Sequence, residues 1–358
     1  MIKKRKSIKK KKSLKHVKKR ITTFLVTVGI ISTASILVYG VWAMRDIYKP
    51  IATFAAEEQT EVYIEDTQFA FFTTNVDSNN FIGDARLIAV DKDDNTVKEL
   101  VLPENTSIHL PYGLNNFKLK SLYKIALMEK PNNPLSLVKQ TLTDYFGVST
   151  KNIYVLFNND SNTPVHQWLT NPITMFRLAF DADWTTKNLT GNTSRWDMLS
   201  LSRTIQAIPD ESKTSISILE NEIGVIKKDV DNTDTIITDQ NKLDAYVKKA
   251  FENKDLVTEK ANITIENATA TQGLARSVSR IITNMGGVVI DLHNSETSIS
   301  ETKIIVSDKK WLQSVTLQKI VKSLPYSKIE TVTTTESKSD ITVVLGQDYA
   351  TFITGSTK

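Results

Sequence analysis

ITIENATATQGLARSVSRIITNMGGVVI, residues 263–290, is the stretch whose reading decides the fold. Ile263-Thr-Ile265 has the β-branched character of a strand. Leu274, Val278, Ile281, Ile282 and Met285 then recur at spacings of three and four, which puts them on one face of a helix. Thr271 is placed to cap that helix, Gly286-Gly287 to end it, and Val288-Val-Ile290 to return as a strand. Downstream, Lys303-Ile-Ile-Val306 and Asp340-Ile-Thr-Val-Val-Leu345 read as strands, with a second helix from Leu312 to Leu324. The order β-α-β-β-α-β predicts a small domain over 261–350 in which helices pack on a sheet.

Working upstream, Gln68-Phe-Ala-Phe-Phe-Thr-Thr74, Ala85 to Val90 and the alternating Val97 to Leu102 read as strands. The acidic turn Asp91-Lys-Asp-Asp-Asn95 joins the last two. That turn lacks the closing glutamate of a calcium loop and is a solvated connection. Asn133-Pro134 supplies a cap and a first-turn proline. Leu135, Val138, Leu142 and Tyr145 share a helical face, and Gly147 is the stop. Asn152 to Phe157 is the next strand, so residues 62–215 alternate strand and helix as an α/β domain does. Residues 158–193, rich in Asn and Thr and carrying Trp168 and Trp184, have no clean period. Arg195 to Ile208 reads as a helix. Residues 216–260 read as a connecting segment with a strand at Ile216 to Leu219 and a helix at Lys242 to Phe251.

Ile21 to Met44 runs without a charged side chain and is long enough to cross a bilayer. The first twenty residues hold twelve Lys/Arg and no Asp/Glu, whereas Arg45 and Asp46 follow as a balanced pair. The positive-inside rule then puts residues 1–20 in the cytoplasm, the span at 21–44, a connector at 45–61, and the remainder outside the cell membrane. Tyr39 and Trp42 suit the outer headgroup layer. A cleaved signal peptide ending near Thr53-Phe-Ala55 is the competing reading, with an apolar region about twice the usual length.

Removing those twelve basic residues from the 45 Lys/Arg leaves 33 against 40 Asp/Glu, about −7 for the outer part. That excludes a nucleic-acid partner for it, which needs a concentrated basic face. The tail beside the span suits anionic lipid. Twenty basic residues cannot fold into a DNA-binding module, which removes the transcriptional-regulator class. Cysteine is absent, so disulfides and thiolate metal sites are excluded, and a bacterial envelope fits. His109, His166 and His293 lack partners at zinc-site spacing. No Gly-x-Ser-x-Gly elbow, phosphate-binding Gly-x-x-x-x-Gly-Lys loop or His-Glu-x-x-His motif occurs.

Ile263 to Ala275, with its strand, turn and Gly-Leu-Ala helix start, and Val343-Val-Leu-Gly-Gln-Asp-Tyr349 together resemble the carboxy-terminal accessory domain of the LytR-CpsA-Psr family of bacterial cell-envelope proteins. Residues 62–215 are similar to that family's catalytic domain in layout. The resemblance implies a single-span extracytoplasmic protein. It also implies a fold that, in active members, transfers a glycopolymer from polyprenyl pyrophosphate to peptidoglycan, with arginines and aspartates gripping pyrophosphate and Mg²⁺. Here Gly83-Asp-Ala-Arg-Leu-Ile88 matches an Arg-x-Asp-Thr segment with Asp84 kept and Ile82 in place of arginine. Leu102-Pro-Glu-Asn-Thr106 matches Ile-Pro-Arg-Asp-Thr with Glu104 and Asn105 substituted. Asp197 and Arg203 match an Asp-x-x-Arg-x-x-Arg-Gln segment in which Ser200 and Thr204 are substituted.

The resemblance therefore implies candidate catalytic residues Asp84, Arg86, Asp197 and Arg203, with Asp84 and Asp197 as candidate Mg²⁺ ligands if the chain is active. Arg86 lies four positions from Ile82, so a regular strand would put it on the face of the lost arginine. Glu104 reverses charge where a phosphate would be gripped. The expectation is accordingly a non-catalytic binding or scaffold protein in cell-wall glycopolymer assembly, with the bilayer, a wall polymer, a polyprenyl-linked precursor or another envelope protein as partners. The alternative is an active Mg²⁺-dependent transferase.

Overall fold

The computed structural model describes residues 68–354 apart from 112–114, 131, 151, 158–162, 230, 325–326 and 332–337, together with 23–35, 38, 40–41, 47–48 and 51. Residues 1–49 and 50–358 form separate compact units. In the first, residues 23–35 are helical, and Phe24, Leu25, Ile30 and Ile31 are exposed. Among the described residues no helix is long and apolar enough to cross a membrane. Ile21, Thr22, Ile36, Leu37, Tyr39 and 42–44 of the expected span lie outside the described residues, as does most of the connector at 45–61.

The second unit opens with β1 (Gln68–Val76), β2 (Ile82–Asp91) and β3 (Thr96–Pro103), an antiparallel meander. A small hairpin follows, β4 (Ser107–His109) with β5 (Asn116–Lys118), then α1 (Leu122–Glu129) and α2 (Pro134–Phe146). Helix α2 begins and ends as the sequence dictates. The Asn133 side chain accepts the Ser136 amide, Pro134 occupies the first turn, and Gly147 closes the helix at φ 62°. β6 (Asn152–Phe157) returns parallel to β1. The Asn- and Thr-rich stretch then folds into α3 (Val165–Thr170), α4 (Pro172–Phe180), α5 (Ala182–Asn188) and β7 (Leu189–Gly191), followed by α6 (Arg195–Ala207) and β8 (Lys213–Ser217). The sheet order is β7-β6-β1-β2-β3-β8.

One sheet face carries Phe72, Leu87, Leu100 and Val155 into an apolar core with Leu122 of α1 and Val138, Leu142 and Phe146 of α2. Residues 216–260 are integral to that core. Ile218, Ile223, Ile236 and then Leu243 and Val247 join it from the segment holding β9 (Gly224–Lys228), β10 (Asp234–Thr238) and α7 (Gln240–Phe251).

After α8 (Lys254–Glu259), a second core forms on β11 (Asn262–Asn267), α9 (Leu274–Asn284), β12 (Val288–Asn294), β13 (Lys303–Val306), α10 (Val315–Ser323), β14 (Lys328–Thr331), β15 (Ile341–Leu345) and α11 (Gln347–Thr354). The mixed α/β class is as expected, with sheet order β12-β11-β15-β13-β14 and one strand, β14, beyond the expected four. Leu274, Val278 and Ile282 face this core. Thr271, however, does not cap α9. The Asn267 carboxamide oxygen accepts the Thr269 amide and hydroxyl, and the Thr269 hydroxyl accepts the Thr271 amide. This closed turn hands the chain to Gly273 at φ 79°, where the helix starts without a side-chain cap.

The two cores meet across a polar seam. Arg280 of α9 donates to Asp244 of α7 at 2.6 and 3.0 Å and to the Asp144 carbonyl at 2.6 Å. Ser277 donates to the Asp144 carboxylate, and Asn284 reaches the Gly147 carbonyl at 3.0 Å.

Candidate functional site

Asp84 and Arg86 alternate onto the sheet face opposite the first core, so both turn towards the layer that contains α3. Register sets Asn75 beside Asp84, and Thr73 beside Arg86, on β1. Glu99, two positions from the β3 partner of Arg86, shares that face. The result is a buried network. Arg86 donates from Nε and Nη2 to Asp84 Oδ2 at 3.0 and 2.5 Å, and from Nη1 to Glu99 Oε1 at 2.6 Å and the Thr163 carbonyl at 2.9 Å. Asn75 donates to Asp84 Oδ1 at 2.7 Å. The Val165 amide donates to Glu99 Oε1, and His166 Nδ1 lies 3.0 Å from Glu99 Oε2. An ionised carboxylate only accepts, so Nδ1 carries the proton.

Side-chain exposure is 2% for Arg86, 5% for Asp84 and 0% for Glu99. Burial alone would lower the Arg86 pKa, but the bonds and charges of Asp84 and Glu99 outweigh it, so the guanidinium is held charged. Burial pushes the Glu99 carboxyl up, yet the His166 bond, the Arg86 charge and the Val165 amide hold it below its usual range. At Asp84 burial prevails over the Arg86 contact, and the nearby Glu99 charge adds to it, so that carboxyl sits above its usual range.

Of the four residues implied by the resemblance, only Asp84 and Arg86 are joined by a hydrogen bond. Asp197 closes a capping box at the start of α6, accepting the Ser194 amide at 3.0 Å and hydroxyl at 2.6 Å. Arg203 is exposed on the same helix, its guanidinium 6.0 Å from the Trp196 ring centre. Thr204 bonds back to the Ser200 carbonyl at 3.0 Å.

Ile82 corrects the expectation that Arg86 shares its face. The β1–β2 register shifts at Asn75/Val76, pairing Val76 with Ile82 and skipping Gly83. The bulge turns Ile82 into the apolar core with Val76, away from Arg86. Glu104 is exposed in the turn after β3, and the Asn105 carbonyl accepts the Ile236 amide at 3.0 Å.

Mg²⁺ does not fit these residues. Both Asp84 oxygens already accept donors, one from a charged guanidinium, and Asp197 caps its own helix. Among the described residues no group of three or more His, Cys, Asp or Glu could hold a metal ion. The sequence marks His166 only as a histidine without a zinc-site partner, and it does not mark Glu99 as a site residue. The one local signal is a carboxylate at every-second-residue spacing with Val97 and Val101. A separate cleft of about 120 Å³ lies between the two cores, lined by Phe69, Asn152, Phe251, Met285, Lys319 and Lys322 among others.

Residues 260–349 match the family described as LytR cell envelope-related transcriptional attenuator. No curated protein matches the chain. Among solved structures, the chain is similar to a Bacillus subtilis protein titled putative transcriptional regulator ywtF at 13% identity and TM-score 0.39, covering 56% of this chain and 97% of that one. It is similar to B. subtilis TagV at 11% identity and TM-score 0.35, covering 50% and 94%. It is also similar to a structure titled LytR-CPS2A-psr family protein YwtF (TagT) with bound octaprenyl pyrophosphate lipid, at 13% identity and TM-score 0.36, covering 56% and 95%. The family match is confined to residues 260–349, the carboxy-terminal module that contains ITIENATATQGLA.

Proposed function

We propose that the chain is a membrane-anchored, extracytoplasmic cell-envelope protein that serves cell-wall glycopolymer assembly by binding, without phosphoryl transfer. The anchor is the apolar stretch 21–44, and the carboxy-terminal module supplies the envelope context. The observation that carries the non-catalytic reading is the engagement of Arg86. All three of its nitrogens donate inside the protein, to Asp84, Glu99 and Thr163. A good charge-assisted contact to a phosphate is worth about 1.5–3 kcal/mol, whereas stripping a buried carboxylate of its partner costs about 3–5 kcal/mol. The internal carboxylates win, so Arg86 stays where it is when a diphosphate approaches. Glu104, exposed in the following turn, adds repulsion.

The test uses the full chain in detergent with polyprenyl pyrophosphate and Mg²⁺. No phosphate release is expected, together with co-sedimentation on wall sacculi that carry glycopolymer. Turnover that disappears in Arg86→Lys would establish the transferase reading instead.

A further inference from the structure

Helix α4 leaves an apolar face uncovered. Ile173, Phe176 and Phe180 recur at i, i+3 and i+7, on one side of the helix. They are 64, 65 and 72% exposed, while Thr174 and Leu178 are buried on the other side. The two phenylalanine rings touch at 5.1 Å between centres. Beside them Trp184 stacks on Trp168 and carries the Arg177 guanidinium 5.2 Å above its ring.

The chain enters the folded unit close by. Ile51 is buried, and its amide donates to the Thr193 carbonyl at 2.9 Å, one residue before the Ser194 cap of α6. The first residue of that helix, Arg195, reaches the Leu178 carbonyl of α4 at 3.5 Å. The entry point and the apolar face are therefore joined through one side chain. Only seven residue steps separate Met44, the end of the apolar stretch, from Ile51. A fully extended chain covers that distance in roughly 25 Å.

We propose that this face of α4, carrying Ile173, Phe176 and Phe180, docks into the headgroup layer of the phospholipid bilayer that holds residues 21–44. The inference rests on the anchor reading above and adds an orientation to it. Three side chains on one short helix fall well short of the roughly 800 Å² per partner that a stable protein interface needs. A tethered surface does not need that area, because the tether already holds it near the membrane at high effective concentration. Phenylalanines flanked by tryptophan and arginine are the composition of an interfacial helix lying about 5–10 Å into the headgroup boundary.

The chain has no cysteine, so single labels are unambiguous. Full-length Phe176→Cys, Phe180→Cys and, as a control on the exposed edge strand β14, Ile329→Cys are each labelled with bimane. They are then reconstituted into phosphatidylcholine–phosphatidylglycerol vesicles containing doxyl-labelled lipid. Flotation is measured on the same samples. Docking predicts quenching several-fold stronger at 176 and 180 than at 329, and stronger with shallow than with deep doxyl. Flotation without that quenching overturns docking and leaves the anchor standing. A chain that does not float overturns both. Protection of the labels that grows with protein-to-lipid ratio instead identifies a second copy as the occupant and also overturns the proposal.

Discussion

Replacing Arg86 with methionine would keep much of the side chain's length and remove the charge from a site that is 2% exposed. Asp84 loses two donors and Glu99 one, and the Thr163 carbonyl loses its guanidinium contact. The remaining donors are Asn75 for Asp84, and Val165 and His166 for Glu99. Breaking a buried ion pair from one side costs about 3–5 kcal/mol, a fall of roughly a hundred- to several-thousand-fold in the ratio of folded to unfolded protein.

The pH dependence supplies a second readout. In the wild type, Glu99 has a depressed folded pKa. Its contribution is fully present above the unfolded value of about 4.3 and is lost as pH falls through the folded value. In Arg86→Met both carboxylates lack their cation, their folded pKa values rise, and the folded state binds the extra protons. The variant's deficit should therefore shrink on going from pH 7.5 to pH 5. Urea unfolding of the full chain, followed by the emission of Trp168, Trp184 and Trp196 in the surrounding helices, measures it. A cost below about 1 kcal/mol, or one independent of pH, would mean that the guanidinium is not committed to Asp84 and Glu99, and the argument against phosphate binding would fall with it.

Four further outcomes are expected. Glu104→Arg with Asn105→Asp should raise affinity for a soluble pyrophosphate analogue roughly ten- to a hundredfold by calorimetry; no change would show that this turn is not the family's arginine-aspartate segment. Gly147→Ala should cost at least about 1–2 kcal/mol, since φ is 62° and the new Cβ would stand 2.7 Å from Asn284 Nδ2; faster amide exchange in α9 would report it, and unaltered stability would refute it. Burial pushes the Tyr154 pKa up, so its contribution is complete below the unfolded value of about 10 and is lost as pH rises towards the folded one; Tyr154→Phe should flatten alkaline unfolding, and an unchanged profile would refute the assignment. Residues 260–358, which include the second core, should unfold cooperatively as an isolated fragment, and a collapsed NMR spectrum would show that the polar seam to α2 and α7 is required.

The parts legible in sequence were those whose cause is local. Asn133-Pro134 and Gly147 bound α2 because cap, first-turn ring and left-handed stop act within a turn or two of the residues that specify them. The stripe Leu274, Val278, Ile282 likewise needs only the helical period. Thr271 failed as a cap because Asn267 and Thr269 compete for the same short-range hydrogen bonds, and propensity does not rank such competitors. Ile82 failed for a different reason. Every-second-residue alternation predicts one face for positions 82 and 86, but a bulge inserts one residue, and nothing in Ile82-Gly-Asp84 distinguishes a bulged strand from a straight one.

Glu99 and His166 mark the limit of that approach. They lie 67 residues apart, and their contact exists because β3 and the start of α3 converge on the same sheet face. Sequence comparison with the family asks which phosphate-binding groups are missing; the packing asks where the remaining ones point. For the first question the resemblance implies Ile82 and Glu104 in place of arginines, and neither fixes what Arg86 does. Glu99 answers the second. Nη1 gives one hydrogen bond to the Thr163 carbonyl at 2.9 Å, and Glu99, held by the Val165 amide and by His166, takes the other at 2.6 Å. The decisive comparison is therefore Glu99→Gln. The neutral amide keeps the shape but releases the charge-assisted bond, and it should let Arg86 respond to a pyrophosphate analogue where the wild type does not. If calorimetry finds both equally unresponsive, the bond from Arg86 to Glu99 is not what keeps the guanidinium from a phosphate.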